Sequence, residues 1–273
     1  MNKPLVSIIM PAFNASSYLE DAINSVTKQT YTHWELIIVN DGSIDDTEEK
    51  VKAIEDSRIR YFSQSNQGVS AARNKALANM RGDFFCFLDA DDVFPKESLE
   101  VRISAFREDP KLDFVDGQVL IVNNSLNKII RIKTHSFIGN PFQALINLDE
   151  RCFTGLTWMI KRKKNQIYQF REGLTHGEDL LFYIALSRNG GNYDAVNEPV
   201  LMYRQGHVSA MRNLKGLESG YIELYQVLER GFQLNEKQLL LLKNKLRTIM
   251  WKSYLADLSP WKAFQSYLRF IKL

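Results

Sequence analysis

The first 120 residues alternate between short, continuously apolar runs and stretches with helical periodicity, and this alternation restricts the fold more than any other feature. The apolar runs are VSIIM from Val6, LIIV from Leu36, IRYF from Ile59 and FFCFL from Phe84. Between them, apolar residues recur every three or four positions, as in amphipathic helices. Strands that are apolar on both faces are typical of a parallel sheet covered by helices on each side. The sequence therefore predicts an α/β fold with a mostly parallel central sheet flanked by helices.

Polar clusters directly follow three of the predicted strands. They are Pro11–Asn14 after the first run, Asn40–Ser43 after the second and Asp89–Asp92 after the fourth. The carboxyl ends of neighbouring parallel strands meet at one edge of the sheet, where ligands of open α/β folds bind. We therefore expect these three clusters to form a single site.

The stretch FLDADD places three carboxylates within the four positions from Asp89 to Asp92, at the end of a buried strand. Three interpretations are open: a helix cap, a solvated acidic loop, or ligands for a cation. A cap uses one Asp, whereas Mg²⁺ and Mn²⁺ take several oxygen ligands and keep positions open for substrate phosphates. Asp89 and Asp91, separated by the small Ala90, can divide their contacts between a metal and a nucleotide. The Asp-Ala-Asp spacing alone still favours the acidic loop.

The pattern changes in the second half of the chain. Shorter strands are predicted over Phe114–Val115, Gln118–Val122 and Ile129–Ile132, and Gly177–Arg188 is predicted to be a helix. The tail is helical and rich in aromatic residues. We divide the chain into a main domain over 1–212, with a donor-binding half (1–112) and an acceptor-binding half (113–212), and a helical C-terminal extension over 213–273.

Four motifs, VSIIMPAFN, IIVNDGS, NQGVSAARN and FLDADD, in this order and spacing, resemble the family 2 glycosyltransferases, whose fold is called GT-A. The resemblance is close from Leu5 to about Glu97 and extends with gaps to about Ser209. It implies an inverting enzyme that moves a sugar from a nucleotide-diphosphate sugar to an acceptor hydroxyl. It further implies a UDP-sugar as the favoured donor, a divalent cation (Mn²⁺ or Mg²⁺) as cofactor, and a role in bacterial cell-surface polysaccharide synthesis.

The resemblance also assigns donor-binding roles to individual residues. Phe13 is expected to lie against the nucleotide base, Asp41 to accept a hydrogen bond from the uracil ring N–H, and Arg73 to contact phosphate or base. Asp89 matches the acid on the ribose side and Asp91 the metal ligand. The alternatives are a core residue for Phe13, a helix cap or turn former ahead of Gly42 for Asp41, and a solvent-exposed helix residue for Arg73. The full expected donor set is Pro11, Phe13, Asn14, Asp41, Asn66, Gly68, Arg73, Asp89, Ala90 and Asp91.

The stretch THGEDLLF matches the part of the family pattern that supplies the catalytic base. Asp179 is our expected base, and Glu178 is expected to position the acceptor or orient the helix, since adjacent helical residues point in different directions. Acidic residues also favour helix N-termini through the macrodipole, so the pair alone is no proof of catalysis. Further on, His207 is expected to bind metal or phosphate, with a plain surface residue as the alternative.

The acceptor site is expected between residues 120 and 175. Asp92, Thr157 and Trp158 are our candidates there, with Trp158 either stacking on a sugar face or lying in the core. Asp92 has two further interpretations, a metal contact and a residue that orders its loop. His135 and His176 show no metal-ligand spacing and are interpreted as structural.

The tail combines basic and aromatic residues. From 241 to 273 it has seven Lys or Arg residues against the single Asp257, with six Trp, Tyr or Phe residues between them. Such helices suit an anionic membrane surface, and the alternatives are dimerisation or packing back on the domain. No run reaches the about 18 apolar residues of a spanning helix. We expect a cytoplasmic protein, peripheral at the inner face of the membrane, that acts on a saccharide or lipid-linked saccharide.

Rival functions fit the sequence less well. The net charge of +3 is too small to indicate nucleic-acid binding. The stretch MPAFNASS after the first strand has no glycine, which disfavours a nucleotidyltransferase or a dehydrogenase because both need a glycine-rich loop there. A non-catalytic nucleotide-sugar-binding protein with a degenerate transferase fold remains the alternative, although the acidic cluster and the Glu-Asp pair are both intact.

Overall fold

A mixed eight-stranded sheet forms the centre of the protein in the computed structural model, which describes residues 3–206 and 213–273. The strands are β1 (Val6–Ala12), β2 (Trp34–Asn40), β3 (Ile59–Ser63), β4 (Phe84–Phe87), β5 (Phe114–Asn123), β6 (Ile129–Lys133), β7 (Met159–Lys161) and β8 (Tyr193–Gln205). The helices in the described ranges are α1 (Leu19–Thr27), α2 (Thr47–Lys52), α3 (Val69–Asn79), α4 (Ser98–Glu108), α5 (Phe142–Ile146), α6 (Glu178–Ser187), α7 (Leu214–Gly231), α8 (Glu236–Ala256) and α9 (Pro260–Lys272).

The donor half of the sheet is parallel, as the apolar runs predict. Strands β3, β2, β1 and β4 lie side by side in that order, with Ile9 of β1 in register with Ile37 of β2 and Phe87 of β4. Every residue of β1 and β2 is buried. Burial on both faces explains why these strands carry no polar alternation. The predicted fold class is confirmed.

The second half of the sheet is mixed. Strand β7 pairs antiparallel with both β4 and β5, while β8 pairs parallel with β5. Strand β5 is one continuous strand with register shifts near Gly117, where the sequence predicted two short strands. A Cβ at Gly117 would lie 2.5 Å from Val200 Cγ1 and 2.8 Å from the Glu198 carbonyl oxygen, so only glycine lets β8 approach β5 there.

Two apolar cores cover the two faces of the sheet. On β1, Ile8 belongs to the core that contains α1 and α4, and Ile9 to the core that contains α3, α6 and the C-terminal helices. This alternation follows from the period of two in a strand. The sheet is thus held between helical layers, and its carboxyl edge is left to the loops.

The C-terminal helices pack back on the domain. Leu224 of α7, Leu242 and Leu246 of α8 and Phe270 of α9 are fully buried in the same core as the sheet. Packing against the domain, one of the alternatives for the tail, is therefore confirmed, while the boundary at residue 212 stays a prediction. Within the described ranges, none of the helices has both the length and the apolar character needed to cross a bilayer.

Candidate active site

A cleft of about 620 Å³ opens at the carboxyl edge of the sheet, where the polar clusters were predicted to meet. It lies between α3, the loop after β4, the loop before β7, the start of α6 and the start of α7. Its polar lining includes Arg73, Asp89, Asp92, Thr154, Thr157, His176, Glu178 and Asp179. Residues from both predicted halves of the domain therefore face one space.

Arg73 has a buried guanidinium that joins two of the predicted motifs by ion pairs, one to the half-exposed Asp89 and one to the largely buried Glu178. Its Nη2 donates to Asp89 Oδ1 at 2.9 Å, and its Nη1 donates to Glu178 Oε1 at 3.1 Å. The guanidinium also lies 5.3 Å from the centre of the Phe170 ring. Burial opposes its charge, but the two carboxylates outweigh this effect and raise the pKa of Arg73. The alternative of a solvent-exposed helix arginine is wrong.

Asp179 lies at the start of α6, half-buried in the cleft wall. Removal from water, and then the negative charge of Glu178, raise the pKa of the Asp179 carboxyl to about 7, although Arg73 acts in the opposite direction. Its Oδ1 accepts a hydrogen bond from the backbone N–H of Leu180 at 2.7 Å. A carboxylate that exchanges its proton near neutral pH has the property required of a general base.

Glu178 and Asp179 are held apart by the first turn of α6. Gly177 precedes them with a left-handed φ of 79°, and Glu178 turns to Arg73. His176 packs against α7, where a Cβ at Gly220 would lie only 2.8 Å from the His176 carbonyl oxygen. The structural role predicted for His176 is thus consistent with its packing, and α7 fixes the loop that presents the acidic pair.

The Asp41 carboxylate organises the loop that leads into α3. Its Oδ1 accepts from Gln64 Nε2 at 2.8 Å and from the Gln67 N–H at 3.0 Å, and its Oδ2 accepts from the Gly68 N–H at 2.8 Å. These bonds use three of the roughly four acceptor positions of a carboxylate. The carboxylate therefore orders the loop after β3 and not the turn at Gly42, and the contact with uracil stays a prediction.

The loops after β1 and β2 are joined by hydrogen bonds. The Asn14 N–H donates to Ser43 Oγ, and Asn14 Oδ1 accepts from the Ile44 N–H, both at 2.9 Å. Gly42 has a φ of 75°, and a Cβ there would lie 2.7 Å from the Asn66 nitrogen. Close approach of the loop after β2 to the loop after β3 thus requires glycine at this position.

Phe13 projects from this pair of loops into solvent. Its side chain is 51% exposed, so the alternative of a core residue is wrong. Pro11 is buried inside β1, Asn66 is exposed, and Gly68 adopts a φ of 91° at the start of α3. An exposed aromatic ring above the sheet edge is available for stacking on a flat ligand.

The three carboxylates of the DADD loop occupy different environments. The Asp89 side chain is 43% exposed and bound by Arg73, Ala90 is buried, and Asp91 is half-buried. Asp92 is buried, and its Oδ1 accepts from the backbone N–H of Arg204 at 2.8 Å. Burial, then Asp91 and Asp89, raise the pKa of Asp92 well above its usual range. Asp92 therefore orders the loop against β8, as one of its alternatives predicted; it also lines the cleft, and its contact with an acceptor or a metal stays a prediction.

The carboxylates at the sheet edge are suitable ligands for a divalent cation that would also bind the substrate. Over 3–206 and 213–273, no group of three or more His, Cys, Asp and Glu side chains comes together as a metal site. Mg²⁺ and Mn²⁺ are commonly held by one or two carboxylates, with substrate phosphates and waters as the other ligands. Asp91, the predicted metal ligand, is a half-buried carboxylate of this kind, and its role stays a prediction. His207 lies outside the described residues, so its predicted role as a ligand stays a prediction.

The two other acceptor candidates differ in position. Trp158 is fully buried, with its ring stacked on Tyr183 at 3.9 Å and its Nε1 donating to the Cys152 carbonyl at 2.9 Å. The core alternative is therefore confirmed, and this indole cannot stack on a sugar. Thr157 is buried in the cleft wall, and its Oγ1 has no hydrogen-bond partner within the described residues.

A buried chain of polar residues behind the cleft was missed by sequence reasoning. Asp116 Oδ2 lies 3.0 Å from His135 Nδ1, which is also 2.7 Å from the Gly117 carbonyl oxygen. His135 Nε2 lies 3.0 Å from the hydroxyl oxygen of Thr154, a cleft residue. Burial lowers the pKa of His135, but Asp116 outweighs it and the net shift is upward. The one signal in the sequence was a carboxylate inside the apolar run of β5.

Comparisons with known proteins agree with this geometry. The family described as Glycosyl transferase family 2 matches residues 7–168. The UDP-Glc:alpha-D-GlcNAc-diphosphoundecaprenol beta-1,3-glucosyltransferase WfgD of Escherichia coli is 34% identical over 199 residues, which cover 72% of this chain and 75% of WfgD.

Solved structures share the fold at low sequence identity. S. aureus TarS in complex with UDP-GlcNAc superposes with a TM-score of 0.67 at 18% identity, over 93% of this chain and 73% of that one. The mannosyltransferase PcManGT from Pyrobaculum calidifontis, in complex with GDP-Man and Mn²⁺, gives a TM-score of 0.60 at 17% identity, over 99% and 75%. With a GT-A fold, the matched motifs and an acidic cleft at the sheet edge, the chain belongs to glycosyl transferase family 2 and is a glycosyltransferase.

Proposed function

We propose that the protein is an inverting transferase that moves a sugar from a nucleotide-diphosphate sugar to an acceptor hydroxyl, with Asp179 as the general base. The observation that carries the proposal is the half-buried Asp179 carboxyl, with its pKa of about 7, beside the ion pairs of Arg73. These groups line one cleft at the edge of the sheet where ligands of such folds bind.

The reaction is a single displacement. The acceptor oxygen forms a bond to the anomeric carbon while the bond from that carbon to the diphosphate oxygen breaks, and the diphosphate leaves with the electron pair. Asp179 takes the proton of the attacking hydroxyl, a role that typically contributes about 10²- to 10⁴-fold to the rate. Attack opposite the leaving group inverts the anomeric centre.

Arg73 and the acidic loop serve the leaving group. Arg73 holds Asp89 and Glu178 in place, so the donor side and the base side of the cleft keep a fixed geometry. Asp91 would hold a divalent cation, which when bound neutralises the negative charge of the departing diphosphate. The Mn²⁺ in the PcManGT complex supports this choice of cofactor.

The donor is proposed to be a UDP-sugar. The exposed ring of Phe13 would stack on the base, and Asp41 would accept from a ring N–H with the acceptor position that its three hydrogen bonds leave. The UDP-GlcNAc complex of TarS and the UDP-Glc named for WfgD support uridine, whereas the GDP-Man complex of PcManGT supports guanosine. Titration with both nucleotides decides between them.

The acceptor is proposed to be a saccharide or lipid-linked saccharide, in the synthesis of bacterial cell-surface polysaccharide by a cytoplasmic enzyme. WfgD, by its name, acts on an N-acetylglucosamine joined to a diphosphate lipid. A non-catalytic sugar-nucleotide binder is the second candidate, and the presence of both Glu178 and Asp179 in the cleft counts against it.

The test separates binding from chemistry. UDP and GDP are titrated calorimetrically into the wild type and Asp91→Ala, each with Mn²⁺ and with EDTA. Metal-dependent UDP binding that is lost in Asp91→Ala supports the donor site. Nucleotide release from a panel of UDP-sugars is then measured for Asp179→Asn, with Glu55→Gln, an exposed residue remote from the cleft, as the control. Binding without turnover in the wild type, across donors and saccharide acceptors, would favour the non-catalytic candidate.

A further inference from the structure

Helix α9 exposes a row of large apolar side chains on its outer face. Trp261 is 68% exposed, Phe264 44%, Leu268 41% and Ile271 50%. Their spacings of three, four and three residues place them within about 80° of one another around the helix axis. The opposite face, with Ala263 and Phe270, is fully buried. The outer row therefore takes little part in the packing that holds α9 on the domain.

Cations accompany this row, and acidic residues do not. At about 100° per residue, Lys272 lies about 20° from the Trp261 edge of the row, and Arg269 and Lys262 lie about 80° and 100° from that edge; α9 contains no Asp or Glu. Leu258, 89% exposed in the turn before the helix, extends the apolar surface. Four exposed apolar side chains bordered by cations are the composition of a helix that lies in a membrane interface.

We propose that the outer face of α9 binds the surface of a membrane that contains anionic lipids. The four apolar side chains would enter the boundary between headgroups and acyl chains, and the lysines would contact lipid phosphates. An indole at one end of the row suits this boundary, because its ring is apolar and its N–H can reach water. The proposal rests on this surface alone and would stand if the transferase proposal failed.

A second copy of the chain fits the outer face of α9 less well than a lipid surface does. In a two-fold dimer each patch meets itself, so the cations beside the row would face cations of like charge. A stable interface buries about 800 Å² on each partner, whereas α9, with 13 residues, is only about 20 Å long. Charge complementarity favours anionic lipid.

Helix α9 is also in contact with a helix that lines the cleft. Arg269 Nη1 donates to Glu218 Oε2 of α7 at 2.7 Å. The neighbours of Glu218 on α7, Leu217 and Tyr221, line the cleft. A membrane bound at α9 would thus be connected to the wall of the active site through one buried carboxylate, which suits an enzyme with a lipid-linked acceptor.

The experiment is flotation of the full-length protein with vesicles of phosphatidylcholine alone or mixed with phosphatidylglycerol. We expect binding to the mixed vesicles, weaker binding at high salt, and little binding to phosphatidylcholine alone. Trp261→Ser with Phe264→Ser should weaken binding by about tenfold or more. Lys262→Gln with Lys272→Gln should weaken it by about fivefold for each lysine.

The controls are matched surface changes elsewhere in the chain. Ile138→Ser removes an apolar side chain that is 75% exposed, and Lys111→Gln removes an exposed lysine; neither should change binding. Thermal melts verify that all variants fold. Absence of wild-type binding to the mixed vesicles, or unchanged binding of the Trp261/Phe264 variant, would overturn the proposal. So would a concentration-dependent dimer in light scattering that the same substitutions abolish.

Discussion

Arg73 on α3 and Glu178 on α6 form a buried ion pair of 3.1 Å, and through it the donor side of the cleft is fixed to the helix that carries the proposed base. Asp89 binds the other end of the same guanidinium. The guanidinium of Arg73 therefore connects α3, the loop after β4 and the start of α6.

Replacing Arg73 by Lys should impair both stability and turnover. One ammonium group cannot reproduce two separate N–H contacts to Asp89 and Glu178, so at least one carboxylate loses its partner. Breaking a buried pair costs about 3–5 kcal/mol in free energy of unfolding. Urea unfolding and donor turnover measure the two effects. The control is Arg107→Lys, whose partner Glu100 is exposed; equal stability losses in both variants would contradict the assigned role of Arg73.

Turnover should rise with pH through about 7, because only the ionised Asp179 can accept a proton. Asp179→Asn should lower turnover by about 10²-fold or more while nucleotide binding is retained. A pH–rate profile between pH 5 and pH 9, with nucleotide titration of both proteins, tests the assignment; a profile flat through pH 7 would argue against it.

Asp179 should also lower the stability of the protein as pH rises. Its folded pKa of about 7 lies above its usual value of 3.8, so between these values the folded state binds more protons than the unfolded state. The free energy of unfolding therefore falls as pH rises through this window. At pH 8, Asp179→Asn should be more stable than the wild type by at most about 4 kcal/mol, and this difference should vanish near pH 4 in urea unfolding curves.

Phe13→Ala should weaken nucleotide binding without affecting folding. The ring is half-exposed, so its loss should change stability by less than about 0.5 kcal/mol. A stacked base typically contributes about 1–3 kcal/mol, which predicts UDP binding weaker by between about fivefold and 100-fold. Ile44→Ala, which removes a more exposed side chain of the adjoining loop, is the control and should bind UDP normally.

His135→Gln should destabilise the fold, most strongly at low pH. Asp116 is fully buried and would lose a charged partner. Because the folded pKa of His135 is raised, the stability it contributes is fully present below about pH 6.5 and is lost as pH rises through the folded value. Urea unfolding at pH 6 and pH 9 should show the larger deficit at pH 6. His33→Gln, at an exposed position, should show none.

The strands of the donor half could be predicted because each is an apolar run bounded by polar residues. Strand β7 could not, since three residues are too few to show any periodicity. The division of β5 into two strands was wrong because Gly117 interrupts the apolar pattern although the strand continues through it.

Part of the cleft lining could also be predicted, but its contacts could not. Arg73, Asp89 and Asp179 come from three of the predicted motifs and line one cleft, whereas the role of Asp41, which does not line it, stays a prediction. The burial of Arg73 depends on two carboxylates that only the tertiary fold brings to it. The contact between Asp116 and His135 joins β5 to a loop after β6, so no local spacing could reveal it.

The hydrogen bonds of Asp41 have a consequence for how the donor site fills. The backbone N–H groups of Gln67 and Gly68 both donate to this carboxylate. The loop therefore starts close to a single conformation, and nucleotide binding should involve little loss of chain entropy there. A preorganised rim of this kind favours rapid, lock-and-key association over closure of a disordered segment.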